Sequence, residues 1–172
     1  MAFAIGDLVA YLSTGSAGAV GDPSTPAASL GKYASSTPVP AGLFDTISDA
    51  DNRGSVTDYR CVLVKNTALV AMPNVRAWVV RQTVGGATVT VAVDPTPASD
   101  GSTGVMALAV PNETTAPAGI SGWSAPDGDA TGLPLGTLLP GFSRPVWVKR
   151  QATNSAALTG DGFTLRVTCD QA

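Results

Sequence analysis

From Asp58 onward the chain alternates apolar and polar side chains with a period of two, and that alternation restricts it to strands. In residues 87–94, Val89, Val91 and Val93 fall on one face and Thr88 and Thr90 on the other. Successive side chains of a strand point to opposite faces, whereas a helix repeats about every 3.6 residues. The same phase runs through residues 58–66, where Tyr59, Cys61 and Leu63 alternate with Arg60, Val62 and Val64, and through residues 75–82 and 162–170. Segments 104–111 and 144–151 predict two more strands, each bounded by Gly, Pro, Asn or Asp. Gly85-Gly86 between 75–82 and 87–94 predicts that this pair forms a hairpin. Many strands and almost no helix predict an all-β fold: an antiparallel β-sandwich, immunoglobulin-like or jelly-roll-like, with at most one short helix. That helix is expected within residues 43–55, where Leu43, Phe44, Ile47 and Ala50 have helical spacing and Gly54 is a stop signal. The connection from Asn112 to Arg144 is too long for a passive turn and is expected to be a structured loop with a short strand near 136–139.

A chain of 172 residues is long enough for one core, with roughly 69% of its surface buried on folding, and too short for a second full domain. Residues 1–42 hold only three charged side chains, Asp7, Asp22 and Lys32, and are dense in Ala, Ser, Gly and Pro. They read as an extended N-terminal arm laid along the domain or a neighbouring subunit, followed by a β-sandwich domain over 43–172. The arm is too apolar to be left in water, so Phe3, Ile5, Leu8, Tyr11, Leu12 and Tyr33 are its expected partner contacts. Trp123, alone of the three tryptophans, falls in a loop and is the expected exposed contact there; Trp78 and Trp147 lie mid-strand among valines.

The same residues argue against catalysis. No histidine is present, which removes the commonest general base and metal ligand. No G-x-S-x-G occurs, and no glycine-rich stretch matches a phosphate loop or a dinucleotide fingerprint. No catalytic, cofactor-binding or metal-binding residue is therefore expected, and the chain reads as no enzyme. Asp49, Asp51 and Gly54 fit the start of a calcium loop, but Arg53 occupies a ligand position, so a capped helix end is the preferred reading. Asp127-Gly128-Asp129 reads as a turn. Cys61 and Cys169 read as small apolar residues in strands, with a disulfide between them left open. A formal net charge of −3 argues against nucleic-acid binding. The first residues lack the charged region of a signal peptide, and no apolar run of about 18 residues spans a bilayer. Synthesis in the cytosol without membrane association is the expectation.

The stretch 43–67, LFDTISDADNRGSVTDYRCVLVKNT, followed closely by NVRAWVV, resembles a segment of virion structural proteins of tailed bacteriophages. There a Phe-Asp turn leads into a Tyr-Arg-x-x-x-Val-Lys-Asn strand and then a hairpin. The matching positions are Phe44, Asp45, Tyr59, Arg60, Val64, Lys65 and Asn66. The resemblance implies a non-enzymatic protein assembled in the host cytoplasm and retained in the virion, with the major capsid protein or other virion proteins as partners and homo-oligomers as the usual state. A decoration or cement protein on the head shell is the first expectation. A tail, baseplate or head–tail connector component is the second, and a carbohydrate-binding module using Trp123 the third.

Overall fold

The computed structural model describes residues 6–17, 19–21, 28–156 and 161–170. Its strands are β1 (Leu8–Thr14), β2 (Gly31–Pro38), β3 (Thr57–Asn66), β4 (Met72–Val80), β5 (Thr88–Val93), β6 (Ala107–Ala109), β7 (Leu133–Leu138), β8 (Ser143–Gln151) and β9 (Thr164–Thr168), with one short helix α1 (Asp49–Gly54). They form a large sheet in the order β5-β8-β3-β1-β2-β6 and a small sheet in the order β7-β4-β9, every pairing antiparallel. The all-β sandwich read from the alternation is what the chain builds, and the short strand expected near 136–139 is β7.

Between the sheets, Val62 and Val64 of β3, Val89 and Val91 of β5 and Val146 and Val148 of β8 meet Val75, Ala77 and Val79 of β4. The small sheet has one buried face, so β4 keeps a clean alternation. The large sheet is covered on both faces: Cys61, Leu63 and Trp147 point away from the small sheet and pack under Met106, Ala107, Val110, Ile120 and Trp123 of the long β5–β7 connection. Central strands buried on both sides carry unbroken apolar runs, here Cys61-Val62-Leu63-Val64 and Pro145-Val146-Trp147-Val148.

The expected hairpin of 75–82 with 87–94 does not form. Strand β4 pairs with β7 and β9, β5 pairs with β8, and residues 81–87 carry the chain from one sheet to the other. The valine faces of the two strands meet across the core instead. Gly86 permits the crossing because a Cβ there would sit 2.1 Å from the Asp161 carboxylate, which accepts the Ala87 N–H at 2.9 Å.

Where it is described, the segment 1–42 supplies β1 and β2, which lie inside the large sheet. Strand β1 sits between β2 and β3, with Leu8 to Leu12 opposite Asn66 to Val62. Beyond Leu12, Ser29 takes over the flank of β3: its carbonyl accepts from Cys61 N at 2.7 Å and its hydroxyl donates to Cys61 O at 2.6 Å. Further along, Tyr59 N donates to Glu113 O at 2.7 Å. Leu12 shares one core cluster with Leu43, so packing does not divide at residue 42.

Helix α1 starts later than the apolar spacing suggested. Ser48 and Asp51 form a reciprocal capping box, Ser48 Oγ accepting from Asp51 N at 3.1 Å and Ser48 N donating to the Asp51 carboxylate at 3.3 Å. The helix buries no residue, and Leu43 and Phe44 precede it in non-helical backbone. Capping therefore outweighed spacing in setting its start.

The two cysteines are free. Cys61 is fully buried in the outer cluster and Cys169 is half-buried beside the inner one, on the opposite face of the large sheet. Burial pushes the Cys61 thiol well up, helped by Asp94 and opposed by a hydrogen bond from Ser13; burial also raises Cys169. Native protein at pH 8 is expected to take up one equivalent of alkylating reagent slowly at Cys169 and a second only on unfolding. Peptide mapping that finds Cys61 labelled as fast as Cys169 contradicts this packing.

Candidate functional site

Three of the positions that carry the resemblance, Phe44, Asp45 and Arg60, meet at one end of the sandwich. Arg60 is in phase with Val62 and Val64 and so points into the core, where its side chain is wholly buried. A charge there requires partners. Arg60 pairs with Glu113, and its Nη2 lies 3.5 Å from the Asp45 carboxylate. Arg150 on neighbouring β8 bonds the Asp45 carbonyl, the Asp45 carboxylate at 3.2 Å and Asp58 at 2.6 Å. Phe44 lies against both cations, its ring centroid 5.0 Å from the Arg60 guanidinium carbon and 4.6 Å from that of Arg150, and it tilts against Phe163 at 6.1 Å. The Phe-Asp dipeptide thus straps residues 41–48 over the ends of β3 and β8. Beside the strap runs a groove of about 470 Å³ that includes Leu43, Ala87, Val89, Asp161 and Phe163.

The arrangement fastens residues 44–45 to β3 and β8. Both guanidiniums are engaged by carboxylates, and among the described residues no group of three or more His, Cys, Asp or Glu is placed to hold a metal ion. Phe44→Ala is expected to cost about 3 kcal/mol, summing lost packing and two cation–π contacts, and Phe44→Leu about half of that. Denaturant titration measures both, and a Phe44→Ala variant within about 0.5 kcal/mol of the parent would remove the strap from the fold's energetics.

A second buried polar centre lies on the outer face. Asp94, wholly buried, accepts from Trp147 Nε1 at 2.8 Å, Leu108 N at 2.9 Å and Thr96 N at 2.8 Å. It ties the long connection to the large sheet. Near the small sheet's outer side, Arg76 bridges Asp129 at 2.7 Å and Asp170 at 2.6 Å; hydrogen bonds from Asn74 and Arg76 hold the Asp170 carboxyl below its usual range.

The expected contact residues are not gathered in one place. Leu12 is a core residue, Leu8 is half-buried at the core's margin, and Tyr33 packs with the outer cluster. Tyr11 is half-buried with the Lys65 ammonium 6.0 Å from its ring. Phe3 and Ile5 lie outside the described residues. Trp123, expected as an exposed contact, is half-buried: it meets Tyr59 edge-on at 5.7 Å and carries the Lys149 ammonium at 5.1 Å. Its loop is drawn onto the sheet because Ser124 and Val91 exchange backbone hydrogen bonds at 2.7 and 3.0 Å. Asp49 and Asp51 belong to the helix cap, and Asp129 opens a single 3-10 turn, Asp129–Thr131.

The sequence reading passed over Arg150, Glu113 and Asp94. A signal existed for Arg60 itself, a charge at a core-phase position of an apolar strand; none existed for partners supplied from other segments. Comparison with protein-family models, curated proteins and solved structures finds no match.

Proposed function

We propose that this chain is a non-enzymatic structural component of a tailed-phage particle, a decoration or cement protein seated on the head shell. The observation that carries the reading is the strap. Phe44, Asp45 and Arg60, which bear the resemblance, are bound to one another, and Asn66 organises the far end of the same strand. The shared motif then has a structural reason to recur, since it closes a sandwich and needs no substrate. The sparse charge of the chain, 23 ionisable Lys, Arg, Asp and Glu side chains in 172 residues, suits a protein whose working state is an assembly. In this reading the partner is the major capsid protein, and the localisation is the virion.

Quantitative mass spectrometry of purified particles encoded by the same genome tests it. A shell protein is expected on the order of hundreds of copies per particle, following the symmetry of the shell. About a dozen copies or fewer would move the protein to the tail, baseplate or connector, and its absence from particles would overturn the reading.

A further inference from the structure

Of the three tryptophans, Trp78 alone stands outside both apolar clusters. Trp147 is wholly buried with its N–H on Asp94, and Trp123 carries Tyr59 and Lys149. Trp78 is half-buried, and among the described residues its indole has no ring, cation or hydrogen-bond partner. Its place follows from the alternation of β4. Val75, Ala77 and Val79 face the large sheet, so Arg76, Trp78 and Val80 fall on the outer face of the small one. The register sets Arg166 directly opposite Trp78, Thr168 opposite Arg76 and Thr164 opposite Val80, so the side chains of the two strands form one continuous surface.

Polar groups on that surface are already held in place. Arg76 Nε donates to Asp129 at 2.7 Å and its Nη2 to Asp170 at 2.6 Å, while Asn74 Nδ2 donates to the other Asp170 oxygen at 2.7 Å. Arg166 is exposed and has no carboxylate partner among the described residues, which leaves its guanidinium donors open on the strand next to the indole. An indole set among fixed donors and acceptors suits a ligand that is apolar on one side and hydroxylated at its rim. A sugar ring is such a ligand: its C–H groups stack on the indole, and its hydroxyls, each both donor and acceptor, meet Arg166 and the carboxylates of Asp129 and Asp170. Charge complementarity narrows the class. Arg76, Arg166 and bordering Arg81 stand against Asp129, Asp170 and bordering Asp127, so the surface has no net charge to offer an acidic sugar or a phosphate backbone. A protein partner, a second copy included, would desolvate the Arg76 cluster, whose charges already satisfy one another, without giving it new partners. Sugar hydroxyls bond those charges as water does, and the fixed side chains lose little conformational entropy on binding.

We infer that this face binds a neutral glycan, one pyranose ring stacked on Trp78 and its hydroxyls bonded by Arg166 and by the carboxylates that hold Arg76. The saccharide contact expected at Trp123 thereby moves to the other sheet, and the inference goes beyond the proposed function without resting on it. The test is the full-length protein on an array of immobilised neutral and uronic-acid-bearing oligosaccharides, followed by titration of the best-retained one with tryptophan fluorescence as the signal. Trp78→Ala is expected to weaken binding by at least about 10-fold, and Arg166→Ala by about 5-fold, while Trp78→Phe weakens it less than Trp78→Ala. The thermal midpoints of all three should stay near the parent's, because both side chains lie on the outer face; should Trp78→Ala fail to fold, Trp78→Phe and Arg166→Ala carry the comparison. A parent that retains no oligosaccharide, or one whose binding survives both alanine substitutions, overturns the inference. Retention of uronic-acid-bearing members alone overturns the neutral class. Self-association by light scattering that Trp78→Ala abolishes would reassign the face to a second copy and overturn the glycan. Each of these results leaves the proposed function standing, since the copy number in particles is measured separately.

Discussion

A chain lacking residues 1–42 is expected to lose its cooperative fold, not merely an attachment. The truncation removes β1 and β2 from the large sheet and opens one flank of β3. Five residue pairs between β1 and β3 disappear. At about 1 kcal/mol net for each, with about 2 kcal/mol for burying Leu12, the loss is roughly 7 kcal/mol. To this is added the Ser29–Cys61 pair, whose two hydrogen bonds carry the flank past the end of β1. Domains of this size have only about 5–15 kcal/mol in hand. The exposed flank of β3 would also offer Cys61-Val62-Leu63-Val64 as an unpaired apolar edge, an invitation to aggregate. Expression of residues 43–172 should yield insoluble protein or a soluble one without a sigmoidal thermal transition. A soluble truncated chain melting within a few degrees of the parent would show that the N-terminal strands are an accessory.

The second large effect is expected at Asp94. Replacing it by Ala leaves the Trp147 indole N–H and the Leu108 amide without their acceptor inside the outer cluster, and frees Thr96 N as well. Each stranded buried donor costs about 1–3 kcal/mol, and hydrogen bonds to a charged acceptor stand at the upper end of that range. The total is about 4 kcal/mol, which lowers the melting temperature by about 10 °C in a chain of this length. Asp94→Asn should recover little, because its amide group adds donors where three donors already converge. Trp147→Phe keeps most of the ring's packing and removes one donor, so it should cost about 1.5 kcal/mol. The double variant Asp94→Ala/Trp147→Phe should cost less than the two single changes added together, since Phe has no N–H to strand. Chemical denaturation of the four proteins completes the cycle. Additive losses, or an Asp94→Ala variant within about 1 kcal/mol of the parent, would mean that Asp94 does not hold the long connection to the sheet.

Much of the sandwich was legible because alternation is a local property. Val89, Val91 and Val93 declare a buried face through neighbours two positions away, and the same holds for Val75, Ala77 and Val79. Legibility weakened where one local signal competed with another. Around residues 43–54 the apolar spacing began a helix at Leu43, while the Ser48–Asp51 capping box began it at Asp49, and the hydrogen bonds of the box prevailed over spacing that had no helical neighbour to pack against. It failed for Trp123, whose burial depends on Tyr59 and Lys149 in other segments. The β7–β8 turn had a faint signature, since Leu-Pro-Gly announces a turn, but its union with the β3–β4 turn runs through Asn66 and Leu138, 72 positions apart.

The strands, their faces and the absence of histidine chemistry were determined by the amino-acid sequence alone. Tertiary structure decided that β4 and β5 stack instead of pairing, that β1 lies between β2 and β3, and that Arg60 is tolerated in the core. The reason is range. Alternation is set by each residue's own neighbours, whereas the choice of partners minimises exposed apolar surface and unpaired charge over the whole chain at once. The Arg150–Asp45 contact, closing 105 positions of sequence, has no local trace for a reader to find.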